Sequence, residues 1–143
     1  MRFRKIIATA VAGVALATAA VTATPSPATA AGSGCLTKPQ SGWSLGVCIS
    51  ENVAQTTVSS NLYVNTRGGL GSRCYIVIKM YRGTVTSGTL SEITSRTDNC
   101  YLGLHPTDDN LRVAKTPGYR YIAYAAVVVN SVRAAYHYSP YIT

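Results

Sequence analysis

The sequence predicts an all-β fold: a disulfide-bonded β-sandwich of about seven short strands, immunoglobulin-like or similar, preceded by a signal peptide. Three observations predict it. Beyond the leader, apolar residues recur with a period of two and nowhere hold a 3.6-residue period for three turns. Clusters of Gly, Pro, Asn and Ser separate the short apolar runs. Four cysteines, an even count, all lie beyond the leader.

The leader comes first. Arg2, Arg4 and Lys5 form a positive n-region, Ile6 to Val21 is a run of sixteen mostly apolar residues, and Ala28-Thr29-Ala30 has the small-x-small form of an export cleavage site. Cleavage after Ala30, or after Ala31, divides the chain into a signal peptide (1-30) and one domain (31-143) that works outside the cell. A membrane anchor is the competing reading, but the run is Ala-rich and shorter than the roughly 20 residues a spanning helix needs. Losing Arg2, Arg4 and Lys5 leaves ten of the 13 Lys and Arg against all five Asp and Glu, a net charge of +5 rather than +8. The ten cations are scattered singly, with no row to follow a phosphate backbone, so nucleic acid is not an expected partner.

Within the domain, Trp43 to Ser50 alternates Trp43, Leu45, Val47 and Ile49 with small or polar residues. Thr56 to Asn65 is rich in β-branched residues. Cys74 to Tyr81 reads as a central strand buried on both faces. Thr89 to Ser95 could form one helical turn, and Cys100 to Leu104 a short strand after a turn at Asp98-Asn99. Tyr119 to Val129 is the longest strand, followed by Val132 to Tyr138 across a tight Asn130-Ser131 turn. The stretch Val113 to Tyr121, with Pro117-Gly118 before a tyrosine at the start of a long strand, is similar to the tyrosine corner of sandwich folds.

Cys35, Cys48, Cys74 and Cys100 allow three pairings. Cys35–Cys48 and Cys74–Cys100 are favoured because each staples a neighbouring segment onto the sheet. Zinc is the rival, but there is no CxxC pair, and His105 and His137 lack ligand spacing, so no metal and no cofactor are expected.

A catalytic centre is not apparent. No serine sits in a GxSxG turn, the cysteines are taken up by disulfides, and both histidines read as surface residues, His105 in a loop and His137 on a strand. Asp108-Asp109-Asn110 lacks the alternating oxygens and closing glutamate of a calcium loop. Glu51, Glu92 and Asp98 form no facing pair for glycoside hydrolysis. The aromatic inventory is more telling: beyond the leader there is no Phe, one Trp and ten Tyr. Tyrosine offers contact area with a polar tip and is enriched at recognition surfaces. On Tyr119 to Val129, Tyr119 and Tyr121 share one face and Tyr124 the other. Trp43 is either an anchor for a partner or part of the core.

The layout resembles the small secreted adaptor subunit of umbrella toxin particles. The resemblance lies in the leader, the early Cys35, Gly42-Trp43-Ser44-Leu45-Gly46-Val47-Cys48-Ile49-Ser50, Tyr63-Val64-Asn65, Cys74, Cys100, and a Tyr- and Ala-rich hairpin ending at Ser139-Pro140. It implies a β-sandwich that joins a lectin-bearing subunit to a large repeat-containing toxin in an antibacterial assembly. It also implies that the mature N-terminal segment, Ala31, Gly32, Ser33 and Gly34, inserts into a cleft of the lectin subunit. The expected function is therefore that of a secreted, non-enzymatic adaptor whose partners are other secreted proteins. An inhibitor of a hydrolase and a small nuclease are the alternatives.

Overall fold

The computed structural model describes residues 33–106 and 111–143. Every regular element in them is a strand: β1 (Gly34–Gln40), β2 (Trp43–Glu51), β3 (Thr57–Thr66), β4 (Cys74–Thr84), β5 (Ser91–Asn99), β6 (Gly103–His105), β7 (Arg112–Ala114), β8 (Tyr119–Val129) and β9 (Val132–Tyr138). They form two antiparallel sheets. One has the order β1-β2-β3-β6, with β7 also pairing β3, and the other runs β5-β4-β8-β9. The leader lies outside the described residues, as do Ala31, Gly32 and the Asp108-Asp109-Asn110 turn.

One core lies between the sheets, filled by the alternating residues that the sequence marks. Trp43, Leu45, Val47 and Ile49 of β2 and Val58, Leu62 and Val64 of β3 meet Ile76, Ile78 and Met80 of β4 and Tyr121, Ala123, Ala125 and Val127 of β8. The small residues of β8 leave room for the bulky ones opposite. β4 differs from expectation. It is central, between β5 and β8, but only its Ile76-Ile78-Met80 face is buried; Tyr75, Val77, Lys79 and Tyr81 point to the outside of the sandwich, where water covers the sheet.

Two hairpins close with two-residue loops. Asn130 and Ser131 (φ 49° and 67°) and Ser41 and Gly42 (φ 52° and 80°) all take the left-handed conformation of a type I′ turn. The Asn130 tip is pinned to the β3–β4 loop, because Asn130 Oδ1 accepts hydrogen bonds from the Ser72 and Arg73 N–H groups at 3.0 and 3.1 Å. Gly71 makes that approach feasible: a Cβ there would lie 2.6 Å from Asn130 Nδ2. The tyrosine corner is present, carried by Tyr121, whose hydroxyl accepts the Thr116 N–H at 2.7 Å. Tyr119, two residues earlier on the same face, instead lies beneath the Arg82 guanidinium.

Both favoured disulfides are present. Cys35 and Cys48 face each other across the β1–β2 ladder, and Cys74–Cys100 ties the start of β4 to the link between β5 and β6. Both bonds accord with an oxidising compartment.

No helical turn forms at Thr89 to Ser95: Thr89 and Leu90 lead into β5, whose first half is Ser91 to Ser95, and Asp98-Asn99 is the end of that strand rather than a turn. The short strand that follows begins at Gly103, not Cys100. β5 has one large apolar residue, Ile93, because an edge strand that overlaps little of the core needs no buried row. Its hydrogen bonds to β4 and the nearby disulfide hold it in place.

Candidate protein-interaction face

The first grouping with chemical potential surrounds His105. The histidine is not at the surface, as expected from its place before Pro106, but fully buried at 0 % exposure on β6. The reason is the path of β5. Its C-terminal end brings Asp98 Oδ2 to 3.0 Å from His105 Nδ1, while His105 Nε2 lies 2.9 Å from the Tyr101 carbonyl oxygen. The Tyr101 ring stacks over the imidazole at 4.0 Å, and its hydroxyl donates to the same Asp98 oxygen at 3.0 Å. Both ring nitrogens are thus engaged within the fold, one by a carboxylate and one by a backbone carbonyl. An acid behind a histidine is half of a hydrolytic triad, but here Nε2, the nitrogen that would serve a nucleophile, is engaged by a backbone carbonyl out of reach of solvent. The cluster ties β5 to β6.

Burial alone would raise the Asp98 carboxyl, but hydrogen bonds from His105, the Asn99 N–H and Tyr101 outweigh it and hold the group below its usual range. A depressed folded-state value means that the stability this group contributes is present above about pH 4, the unfolded value, and is lost as pH falls through the lower folded one. Comparing denaturant midpoints, the stability gap between wild type and Asp98→Asn is expected to be widest at neutral pH and to narrow below pH 4. A gap that is constant from pH 7 to pH 3 would contradict this.

His137 lies on the inward side of β9, opposite Ala125 and half-buried. Burial, with a smaller contribution from the charge on Lys38, holds its imidazole below the ordinary value. Glu51 pairs with Lys115 at 2.6 Å and is almost completely buried, and Glu92 pairs with Lys79 at 2.6 Å at the surface. The two glutamates are thus committed to separate lysines. Among the described residues no three His, Cys, Asp or Glu side chains gather as a metal site.

The second grouping is larger and faces solvent. The register of the β5-β4-β8-β9 sheet puts Tyr75 and Tyr81 of β4, Tyr124 of β8, and Tyr136 and Tyr138 of β9 on its outer face, five of the ten tyrosines. Tyr124 is the hub. Its ring centroid lies 4.9 Å from that of Tyr138, 6.3 Å from Tyr136 and 6.5 Å from Tyr81. Arg133 lies 4.3 Å over the Tyr136 ring and donates to the Tyr124 hydroxyl at 3.4 Å, and Lys38, reaching across from β1, lies 5.6 Å from the same ring. Tyr138 is 43 % exposed and Tyr75 38 %.

A β-bulge builds this face. From the Val129–Val132 end the two strands pair without a break as far as Val128 and Arg133; the next pair is Val127 with Ala135, so β9 carries one extra residue, Ala134. Without it, Tyr136 would lie opposite Ala125 and point into the core. With it, Tyr136 and Tyr138 turn outward beside Tyr124, and the Tyr136 N–H at the strand's open edge is satisfied by Gln40 Oε1 at 3.1 Å.

The expected partner-binding residues lie elsewhere. Trp43 is 1 % exposed, in the core. Its indole is covered by Gly68, where a Cβ would lie 2.5 Å from Nε1, so it cannot serve as a surface anchor. Gly34 belongs to β1, paired with Ile49 and packed so closely on Pro140 that a Cβ would come within 2.6 Å of that ring. Ser33 precedes the strand, half-buried. An insertion segment of Ala31 to Gly34 is thereby shortened at its strand-bound end.

The fold and this face define a two-sheet, disulfide-bonded domain with an aromatic, cationic sheet surface. No family profile, curated protein or solved structure matches the chain.

Proposed function

We propose that the domain is a secreted, non-enzymatic protein-binding module, and that it serves as an adaptor joining subunits of an extracellular antibacterial toxin complex. The observation that carries protein binding is the outer tyrosine face of β4, β8 and β9. Tyrosine and arginine are enriched where interfaces concentrate their energy, because they bury large areas at low entropic cost and keep a polar tip. Here the rings are held against one another and under a guanidinium, so little side-chain freedom is left to lose on binding. The engagement of both His105 nitrogens supports a role without catalysis, the leader and two disulfides support secretion, and the toxin-complex role rests on the resemblance to umbrella-particle adaptors.

Affinity purification from the culture fluid of the producing cells tests this. Proteins that co-purify with wild type are expected to fall at least tenfold in yield with Tyr136→Ala/Tyr138→Ala and to be retained with Tyr63→Ala, which alters an exposed tyrosine on the other sheet. Equal yields in all three would remove the face from the account. Absence of any partner for wild type would remove the adaptor role, and capture of a hydrolase instead of toxin subunits would make the protein an inhibitor.

A further inference from the structure

We propose that the tyrosine face takes an acidic segment of the partner protein, its carboxylates bound by Arg133 and Lys38 on either strand flanking the face's edge. This rests on the protein-binding reading above and specifies the chemistry of the partner.

Charge accounting carries it. Among the described residues every acid is already engaged within the fold: Glu51 by Lys115, Glu92 by Lys79 and Asp98 by His105. Lys38 and Arg133, by contrast, have no acidic partner among the described residues; their contacts are the Tyr136 ring and, for Arg133, the Tyr124 hydroxyl. Two cations thus converge on one tyrosine at the edge of the face, with no carboxylate among the described residues to balance them.

The geometry suits a carboxylate. Arg133 lies over the Tyr136 ring and spends one donor on Tyr124 of the five it carries. The donors that remain suit a carboxylate, and the contacts with the Tyr136 ring and the Tyr124 hydroxyl restrict the side chain before the partner arrives. Tyr138 and Tyr75 supply apolar area beside it. The same charges disfavour a second copy, since a two-fold contact through this face would bring both Arg133 side chains together. Two cations are also too few to track a phosphate backbone.

The probe is a blocked glutamate-rich decapeptide, with its glutamine counterpart as control, titrated into the isotope-labelled secreted protein while amide NMR shifts are followed. Shifts are expected at Lys38, Arg133, Tyr136 and Tyr138 with the glutamate peptide and not with the glutamine one. Lys38→Glu/Arg133→Glu is expected to weaken binding at least tenfold, whereas Arg67→Glu/Arg73→Glu leaves it unchanged. Shifts centred on Arg67, Arg73 or Arg112, or none at millimolar peptide, would overturn the proposal, as would a dimer in sedimentation that the tyrosine double variant abolishes. If Tyr136→Ala/Tyr138→Ala loses the natural partners while Lys38→Glu/Arg133→Glu keeps them, the binding face stands and the acidic partner falls.

Discussion

Trp43→Ala is expected to destabilise the domain by about 3–5 kcal/mol, the cost of emptying a large aromatic site in a core. Trp43 is the largest of the fully buried side chains and opens β2 directly after the Ser41-Gly42 turn. Its loss removes the largest member of the core cluster and leaves Gly68, which packs against the indole, over a void. For a domain whose total stability is on the order of 5–15 kcal/mol, this lowers Tm by about 15 °C or more. Thermal unfolding followed by circular dichroism measures it. The result separates the two roles open to a lone tryptophan: a surface anchor would lose its partner at unchanged Tm, and that outcome would contradict the core assignment.

His105→Ala is expected to cost about 3 kcal/mol or more, because it empties a fully buried aromatic site and removes two buried hydrogen bonds at once. Three groups are affected at once: the Asp98 carboxylate, the Tyr101 carbonyl and the Tyr101 ring that rests on the imidazole. Asp98→Asn, which keeps shape and some hydrogen bonding, is expected to cost less, about 1–2 kcal/mol. The double variant is expected to fall short of the sum of the two single losses by at least about 1 kcal/mol, as contacting residues do. Denaturant unfolding of the four proteins gives the coupling. A change within about 0.5 kcal/mol for His105→Ala, the behaviour of an exposed histidine, would show that the cluster does not hold β5 to β6.

These two residues also mark where sequence ends as a guide. The long hairpin of β8 and β9 was legible because its signals are local: a long run of apolar and aromatic residues ending in three valines, a two-residue turn and a second strand-forming run. The disulfide pairing was legible because each bond closes a short span, 13 and 26 residues. Trp43 was ambiguous, since one large aromatic in an alternating run fits a core or a surface equally until its sheet has a neighbour. β5 was missed because Ser91 to Asn99 has almost no apolar residues to alternate, and with it went the Asp98–His105 contact, which exists only if Asp98 sits on a strand facing β6. β1 was hidden in the same way: apart from Leu36 it offers no apolar pattern, although the Ser41-Gly42 turn before Trp43 was a hairpin signal.

The tyrosine face shows a finer limit. Composition alone pointed to tyrosine but fitted a Phe-free core as well as a recognition surface, and the alternation along β8 correctly set Tyr124 apart from Tyr119 and Tyr121. Which side Tyr136 and Tyr138 join depends on one inserted residue, Ala134, and a bulge of small residues carries no clear mark in the sequence. The register therefore decides the site, and only the paired strands reveal it.

Hydroxyl-radical footprinting of the tyrosines, free and in complex with whatever proteins co-purify, tests the face most directly. Tyr63 and Tyr141 are as exposed as Tyr138 but lie off the face, and so serve as internal controls. Protection of Tyr75, Tyr136 and Tyr138 in the complex, with Tyr63 and Tyr141 labelled as in the free protein, is the predicted result. Protection of Tyr63 or Tyr141 while Tyr136 and Tyr138 stay reactive would contradict it and place the interface on another surface.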